Sequence, residues 1–142
     1  MYDIRRTQWT WLSGNDSGNA LGNYGIKGIT STNNYPGSRN LHAMVLNPVL
    51  NCTYIYGGTS DHGTFNDLWM YNISSNLWTW MSGNSTADAA GVYGTKGIPS
   101  IDTYPGARNS HAMTLDPGCN CLIMFGGYGY HSSLGSMRNI WS

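Results

Sequence analysis

Histidine is the side chain of this sequence best suited to metal binding or proton transfer, because the seven acidic residues are all aspartates and show no close pairing. His42 and His111 occupy the same place in two nearly identical phrases, YPGSRNLHAM at 35–44 and YPGARNSHAM at 104–113. Each lies in a predicted strand and follows an arginine by three residues. We therefore interpret both histidines as structural side chains and not as ligands.

The other two histidines, His62 and His131, follow Gly-Gly pairs in predicted loops, where binding residues often lie. No Cys/His cluster has the spacing of a zinc site, and no Ser-His-Asp set can be singled out. We therefore predict no catalytic residue, no metal site and no cofactor in this segment.

Two glycine-rich loops, GNYGIKG at 22–28 and GVYGTKG at 91–97, resemble phosphate-binding loops superficially. A phosphate cradle needs a Gly-Lys-Ser/Thr sequence that opens a helix, and neither loop has one. Their recurrence favours an architectural role. We predict tight turns in which Tyr24 and Tyr93 pack against a neighbouring blade.

N-linked glycosylation is the modification that the sequence could support, at four Asn-x-Ser/Thr sequons. They are Asn15, Asn51, Asn72 and Asn84. The number alone decides little, because a chain so rich in Asn, Ser and Thr contains several by chance. Asn15 and Asn84 hold equivalent positions, and Asn72 lies in a predicted turn, where a glycan would be exposed. Together with the low charge, these positions favour an extracellular or cell-surface glycoprotein.

The three cysteines, Cys52, Cys119 and Cys121, are open to two interpretations. As small buried hydrophobic residues at strand starts they would play no chemical role. Alternatively two of them form a disulfide and leave one thiol, although Cys119 with Cys121 alone would make a strained pair.

Composition favours strands and excludes two classes of partner. Only 10% of residues are charged and the formal net charge is zero, so no basic patch is available for nucleic acid. No stretch approaches the roughly 20 apolar residues of a membrane-spanning helix, so no span is expected in this segment. The composition is poor in good helix formers and rich in Gly, Asn, Ser, Thr, Trp and Tyr. It therefore predicts an all-β fold.

A tandem repeat organises the whole chain. WTWLSGN at 9–15 returns as WTWMSGN at 78–84, which is a separation of 69 residues. Met1 aligns with Met70 inside a repeat, so we expect the sequence to be an excerpt of a longer chain. The predicted repeats are residues 1–69, which start with the last strands of a preceding unit, and residues 70–142.

Each repeat is predicted to form a four-stranded antiparallel sheet. In the first, the candidate strands are rich in β-branched and aromatic residues and end at Gly, Asn, Pro or Ser. They span 42–46, 52–56, 67–71 and 77–81, with hairpin turns at 47–51 and 72–76. Such a sheet cannot bury both faces alone and needs neighbours of the same shape.

The combination of Gly-Gly after an apolar strand, a downstream Tyr, and a Trp seven positions later resembles the kelch repeat. The resemblance covers essentially the whole chain and implies two four-stranded blades, part of a β-propeller or of an open array of blades. It assigns structural roles to a set of signature residues. These are Arg39, His42, Gly57, Gly58, Tyr71 and Trp78, with Arg108, His111, Gly126 and Gly127 in the second copy.

The repeat departs from that family in length, since kelch repeats run nearer to about 50 residues. The surplus lies in long loops at 14–36 and 83–105. Propellers also close with about four to eight blades, so further blades must come from the same parent chain or from other subunits.

The resulting functional hypothesis is a non-catalytic scaffold for protein contacts in an extracellular glycoprotein, able to assemble head to tail into a filament or surface appendage. One alternative is a carbohydrate-binding propeller module that uses exposed aromatic side chains as stacking platforms. A further alternative is a fragment of a galactose-oxidase-like enzyme, although no copper ligand set can be matched to this sequence.

Overall fold

The computed structural model describes residues 1–130 and 134–142, and every regular element within these ranges is a β-strand. No helix in these ranges is long and apolar enough to cross a membrane. In chain order the strands are β1 (Tyr2–Asp3), β2 (Gln8–Trp9), β3 (Ala43–Asn47), β4 (Cys52–Tyr56), β5 (Thr59–Ser60), β6 (Gly63–Thr64), β7 (Leu68–Asn72), β8 (Leu77–Ser82), β9 (Arg108–Asn109), β10 (Ala112–Asp116), β11 (Cys121–Phe125), β12 (Tyr128–Tyr130), β13 (Leu134–Ser136) and β14 (Ile140–Trp141).

The first blade is the antiparallel sheet β3-β4-β7-β8, which confirms the predicted four-stranded unit to within one residue at each strand end. Trp69, at the middle of the sheet, is fully buried and pairs with Ile55 on one side and Trp80 on the other. An indole buries about 200 Å² of apolar surface, worth roughly 5 kcal/mol. This residue anchors the core of the blade.

The turns of the first blade are set by asparagines. The Asn47 side-chain oxygen accepts the backbone N–H groups of Val49 and Leu50, both at 3.1 Å. Asn51 and Asn76 close the two turns with positive φ angles of 48° and 58°. Asn tolerates this left-handed backbone better than most residues, so the predicted hairpin turns form where these asparagines stand.

The second blade repeats the first as β10-β11-β14. Its register is equivalent: Met124 pairs with Trp141 as Ile55 pairs with Trp69. Within the described residues this sheet has three strands, one fewer than the sheet of the first blade. Strands β9, β12 and β13 form a small sheet at its inner end.

The chain begins with the hairpin β1–β2, which corresponds to the outer hairpin of a blade. Tyr2 pairs with Trp9 and their ring centroids lie 5.0 Å apart. Tyr71 and Trp78 make the same pair in the first blade, at 4.8 Å. The equivalence supports the prediction that this hairpin is the closing piece of another blade.

The two blades pack through backbone and amide contacts. The Gly58 N–H donates to the Arg108 carbonyl at 2.9 Å, and the Arg108 N–H donates to the Phe65 carbonyl at 3.0 Å. At the outer side, the Asn47 amide donates to the Asn120 side chain at 2.8 Å. The trailing face of the first blade thus joins the leading face of the second blade by hydrogen bonds as well as by packing.

The glycine pair at the end of β4 makes this approach possible. Gly57 and Gly58 have φ angles of 61° and 93°, and a Cβ on Gly57 would collide with the Arg108 carbonyl oxygen. Positive φ and close contact with a neighbouring sheet are both reasons for glycine at these positions.

By equivalence, two further faces of the molecule are open. The leading face of the first blade contains the exposed His42, together with Leu41, whose carbonyl accepts the Ser110 N–H at 2.9 Å. The trailing face of the second blade contains Phe125, Gly127 and the buried Met137. Leu41 and Phe125 are exposed. These names are used below for the two open faces.

Candidate functional site

A buried ion pair lies at the centre of the first blade. The Arg39 guanidinium binds both carboxylate oxygens of Asp67, at 2.6 and 2.8 Å, and also donates to the carbonyls of Gly37 and Gly57. The side chains of Arg39 and Asp67 are 4% and 0% exposed. Two parallel hydrogen bonds to a carboxylate are the geometry that a planar guanidinium fits best.

Asp67 also receives two neutral donors. The Tyr24 hydroxyl donates to it at 2.6 Å and the Trp69 indole N–H at 2.7 Å. Burial, followed by the Asp67 carboxylate, raises the pKa of Tyr24 well above its usual range. Burial alone would lower the pKa of Arg39, but Asp67 outweighs it and raises that pKa. We call Arg39, Asp67, Tyr24 and Trp69 the first centre.

The second blade has an equivalent second centre, formed by Arg108, Asn139, Tyr93 and Trp141. The Arg108 guanidinium donates to the carbonyls of the matching glycines and to the Asn139 side-chain oxygen at 2.8 Å. The Asn139 amide donates to the Tyr93 hydroxyl, also at 2.8 Å. An amide thus replaces the carboxylate of the first centre.

This replacement leaves the Arg108 charge without an acidic partner among the described residues. Arg108 is fully buried, and its Nη2 has no hydrogen-bond partner within them. Burial lowers the pKa of Arg108. A buried cation bound only by neutral groups destabilises a fold, so the second centre is the weaker of the two.

The predicted signature histidines lie just before their strands and differ in burial. His42, which precedes β3 by one residue, is exposed on the leading face of the first blade, whereas His111 is buried against Tyr56 with ring centroids 5.4 Å apart. Burial, then Arg108 and His42, lowers the pKa of His111 to about 4. Neither ring nitrogen of His111 has a partner among the described residues.

No metal-binding cluster of three or more His, Cys, Asp or Glu side chains occurs in residues 1–130 and 134–142. His62 is exposed, and its ring nitrogen lies 3.0 Å from the Asn19 carbonyl oxygen. His131 lies outside the described residues.

The glycine-rich loops pack against aromatic residues of their own blades, so the prediction that Tyr24 and Tyr93 pack against a neighbouring blade is wrong. Tyr24 contacts Trp69 and Trp80 at ring centroid distances of 5.0 and 5.1 Å. The Lys27 ammonium lies 4.6 Å from the centre of the Trp80 ring and donates to the Gly83 carbonyl at 2.8 Å. The first loop therefore binds the outer strand β8 of its own blade.

The second loop borders an open cleft of about 730 Å³. Tyr93 packs on Trp141 at 5.1 Å, as Tyr24 packs on Trp69. Beyond this pair, Lys96 and Arg138 line the cleft, where Lys27 meets β8 in the first blade. We call this the blade-2 cleft, where cationic, aromatic and amide groups converge.

The four sequons lie at different depths. Asn15 and Asn51 are exposed, although the Asn51 amide donates to the Ser74 hydroxyl at 2.7 Å. Asn72 and Asn84 are partly buried, and the Asn72 side-chain oxygen accepts the Ser74 N–H at 3.0 Å. Asn15 and Asn51 are thus the two exposed sequons, and glycosylation of all four remains a prediction.

The cysteines divide between the two interpretations. Cys52 is buried and unpaired, as expected for a small hydrophobic residue at a strand start. Cys119 is exposed and is disulfide-bonded to Cys121, so burial as hydrophobic residues is wrong for this pair. The tight turn between β10 and β11 brings the two sulfurs together.

Sequence reasoning missed the acidic partner of the first centre and the amide that replaces it. Asp67 and Asn139 stand in the matching phrases NDLW and RNIW. The signal was an aspartate directly before an apolar strand in one copy, at a position where the other copy has an asparagine. This signal can be interpreted only when Arg39 and Arg108 are known to lie beside these positions, and that proximity cannot be derived from the sequence.

Comparison with known proteins supports the blade assignment. Residues 48–81, which contain β4, β7 and β8 together with Gly57, Gly58, Tyr71 and Trp78, match the kelch motif. The resemblance to kelch-repeat proteins is confirmed by this match, and kelch repeats generally serve as scaffolds for protein interaction. The chain is also similar to Mei4-dependent protein 6 of Schizosaccharomyces pombe, with 34% identity over 90 residues. That alignment covers 63% of this chain and 10% of the relative's length.

Proposed function

We propose that this segment is a non-catalytic protein-interaction scaffold of an extracellular or cell-surface glycoprotein, whose blade array assembles head to tail. The observation that carries the proposal is the exposure of large apolar side chains at both ends of the array. Trp9 and Trp11 are 81% and 68% exposed at one end, and Phe125 and Ile140 are 53% and 70% exposed at the other. Large exposed apolar side chains in clusters mark interaction surfaces.

The contact between the two blades supports the head-to-tail geometry. The trailing face of the first blade already binds a leading face through backbone hydrogen bonds from Gly58 and to Phe65. The trailing face of the second blade has the matching residues Gly127 and Met137. A heterologous contact of this kind extends an array or closes it into a ring, depending on the rotation between units.

The secretory part of the proposal is supported by the sequons. Asn15 is exposed, and its side-chain oxygen accepts the Ser17 N–H at 2.9 Å within a local turn. A glycan at this position would extend into solvent from the long loop. The low charge of the chain and its richness in Asn, Ser, Thr and Tyr are consistent with an extracellular surface.

Two measurements test the proposal. Deglycosylation of the native protein in heavy-oxygen water, followed by peptide mass spectrometry, should mark Asn15; four unmarked sequons would refute the glycoprotein. Sedimentation velocity of the 142-residue chain should show association that rises with concentration. A chain that stays monomeric over the whole range would refute assembly through the open ends.

A carbohydrate-binding module is the second candidate, favoured by the exposure of Tyr93 at the blade-2 cleft. Tyr24 argues against it, because it is packed between two indoles and bonded to Asp67 and offers no free ring face. Saturation-transfer NMR with neutral oligosaccharides distinguishes the candidates. Signal transfer that is lost in Tyr93→Ala would favour sugar binding over the scaffold.

A further inference from the structure

A disulfide joins Cys119 to Cys121 in the turn between β10 and β11. Cys119 is exposed and Cys121 is half-buried, so Cys119 is the part of the pair that an incoming reagent reaches more readily. The Cys121 sulfur lies 3.3 Å from the Cys119 carbonyl oxygen. Strands β10 and β11 pair over their whole length, from Ala112 with Phe125 to Asp116 with Cys121. The disulfide therefore belongs to a complete hairpin in the interior of the chain.

The equivalent turn of the first blade forms without a disulfide. Leu50 stands there at the position of Cys119. The backbone of the two turns is nevertheless alike, since Asn51 and Asn120 have positive φ angles of 48° and 54°. Asparagine tolerates this left-handed conformation, and it sets the turn in both blades.

A side-chain hydrogen bond also holds each turn from its first residue. The Asp116 carboxylate accepts the Gly118 N–H at 2.8 Å, as the Asn47 side-chain oxygen accepts the Val49 N–H at 3.1 Å. These contacts form both with a cross-link, in the second blade, and without one, in the first. The disulfide is therefore not what shapes the turn of the second blade.

The ring that this disulfide closes is very short, because one residue, Asn120, separates the two cysteines. A cross-link stabilises a fold mainly through the chain entropy that it removes from the unfolded state, and this entropy falls as the closed loop shortens. The bond between Cys119 and Cys121 therefore contributes little to stability. An exposed disulfide that the fold does not need is of the type that exchanges with thiols.

The third cysteine shows the opposite accessibility. Cys52 holds the position of Cys121 in the first blade, but it is unpaired and 1% exposed. A thiol so deeply buried is closed to thiols, oxidants and alkylating reagents while the protein is folded. The chain thus combines an accessible pair with an inaccessible thiol, which serves as an internal control in a labelling experiment.

The charge of the turn favours one class of reacting thiol. In the sequence DPGCNC at 116–121, the charged side chain is the half-buried Asp116. The Cys119 sulfur lies 4.0 Å from the carbonyl oxygen of this residue. A carboxylate repels an anionic thiol compound and attracts a cationic one. A cysteine in basic surroundings is therefore a better match for this turn than the anionic tripeptide glutathione.

We propose that the Cys119–Cys121 pair is a thiol-exchange site, at which a cysteine of a protein partner in basic surroundings forms a reversible mixed disulfide with Cys119. The proposal goes beyond the scaffold function, because it adds a covalent contact made by a single turn. Head-to-tail assembly of the blades is not required for it.

The exchange balances without a further oxidant or reductant. The partner thiol gives its proton to solvent, and its thiolate attacks the Cys119 sulfur. A new S–S bond forms there while the bond between Cys119 and Cys121 breaks. The electron pair of the broken bond leaves on the Cys121 sulfur, which takes a proton from solvent. Attack by the Cys121 thiolate on Cys119 reverses the exchange and releases the partner.

The first test measures exchange in the folded protein. Incubation with reduced glutathione, then maleimide labelling and peptide mass spectrometry, should label Cys119 and Cys121 and leave Cys52 unlabelled, while tryptophan fluorescence stays that of the untreated protein. A pair that is reduced only after unfolding in urea would overturn the proposal, because it would be a structural cross-link. A pair that stays reduced in oxidised glutathione would overturn it as well.

Single substitutions assign the roles of the two sulfurs. Cys121→Ser leaves the exposed thiol of Cys119, and Cys119→Ser leaves a half-buried thiol. The first variant should react with an aromatic disulfide reagent about tenfold faster than the second, because exchange depends on access. Both variants lack the cross-link, so each is the matched control of the other, and both should melt close to the wild type. Equal rates would overturn the assignment of Cys119 as the sulfur that is attacked.

Two thiols of opposite charge distinguish the sources of the reacting group. A short peptide with one cysteine between lysines should exchange about threefold faster than glutathione. Asp116→Asn should remove this difference and keep the acceptor for the Gly118 N–H, as Asn47 does in the first blade. Faster exchange with glutathione would overturn the assignment to a basic protein partner and identify a site for small anionic thiols.

These outcomes are separate from the test of the proposed assembly. Exchange at Cys119 is measured per chain, and a monomeric protein should show it in full. Absent exchange with intact association would overturn this inference alone, whereas intact exchange in a protein that never associates would overturn the head-to-tail assembly alone.

Discussion

Arg39 and Arg108 hold the same position in the repeat, but Arg39 binds a carboxylate and Arg108 binds an amide. The first centre is neutral as a whole, and each of the three nitrogens of the Arg39 guanidinium has a hydrogen-bond partner in the described structure. The second centre carries an uncompensated buried charge beside an open cleft. The same fold therefore tolerates an arginine–carboxylate pair or an arginine–amide pair at this position. The more stable pair, Arg39 with Asp67, lies in the four-stranded first blade.

The same comparison extends to the neighbours of each centre. The trailing face of the first blade is covered, so Gly57 and His111 lie in a dry contact between blades. Of their equivalents, His42 is exposed, whereas Gly126 is buried but the nearest atom beyond its chain neighbours lies 3.6 Å from the position that a Cβ would take. Residues at equivalent positions of the repeat therefore contribute differently to the free energy of unfolding, and the substitutions below measure that difference.

The largest effect is expected from Asp67→Asn, which gives the first centre the chemistry of the second. Removing one member of a buried ion pair leaves the Arg39 charge uncompensated and should lower the free energy of unfolding by about 3–5 kcal/mol. Urea denaturation followed by tryptophan fluorescence measures it. The control Asp102→Asn changes an exposed loop carboxylate and should stay within about 0.5 kcal/mol. A loss below 1 kcal/mol for Asp67→Asn would show that the amide serves equally well.

Acidification should reveal the burial of His111. Its folded pKa of about 4 lies below the ordinary value of 6.5, so the unfolded chain binds more protons between these values. The contribution of neutral His111 to the free energy of unfolding is fully present above pH 6.5. It is lost as the pH falls toward 4, by roughly 3 kcal/mol.

His111→Gln should flatten the dependence of unfolding free energy on pH in this window more than His42→Gln does, because burial lowers the pKa of both histidines but His42 is the more exposed. Parallel urea titrations from pH 7 to pH 4 measure both slopes. Equal slopes in His111→Gln and the wild type would contradict the assignment.

A smaller difference is expected between Gly57→Ala and Gly126→Ala. Both residues have positive φ, 61° and 72°, so both substitutions strain the backbone by about 1 kcal/mol. A Cβ at Gly57 also collides with the Arg108 carbonyl oxygen, whereas a Cβ at Gly126 comes no closer than 3.6 Å to the Met137 carbonyl oxygen. Gly57→Ala should therefore be the more destabilising by at least about 1 kcal/mol. Thermal unfolding of the Gly57→Ala and Gly126→Ala variants measures this difference. Equal losses of stability would mean that the contact between the blades relaxes around the added Cβ at Gly57.

The smallest effect is expected from Asn139→Asp, which gives the second centre the carboxylate of the first. Arg108 would gain an acidic partner, and we expect a stabilisation of about 1 kcal/mol at pH 7. The gain is modest because the cleft beside Asn139 admits water. A melting temperature below that of the wild type would indicate that the second centre is adapted to the amide.

Much of the fold followed from local sequence. The four strands of the first blade begin and end within one residue of their predicted limits, because their ends are fixed by Asn and Gly residues with special backbone geometry. The pairing of Tyr71 with Trp78 and of Tyr2 with Trp9 followed from their spacing. The repeat limits at 1–69 and 70–142, the sequon occupancy and the cellular location remain predictions.

The candidate site was largely hidden from sequence reasoning. Arg39 was assigned a structural role by resemblance, but its partner Asp67 is 28 residues away. Tyr24 was expected to pin a loop, and its hydrogen bond to Asp67 was not foreseen. The disulfide between Cys119 and Cys121 was judged strained and unfavoured, since spacing alone does not tell how a turn directs two sulfurs.

The sequence by itself determined the repeat, the strands, the turns and the glycine pair, because these depend on neighbours within a few residues. Only the tertiary structure decided which charges are paired, which of two equivalent histidines is buried and where a cleft lies open. Those properties depend on side chains that are far apart in the sequence and meet only when loops, strands and a neighbouring blade come together. A residue and its repeat counterpart therefore share a conformation but not an environment.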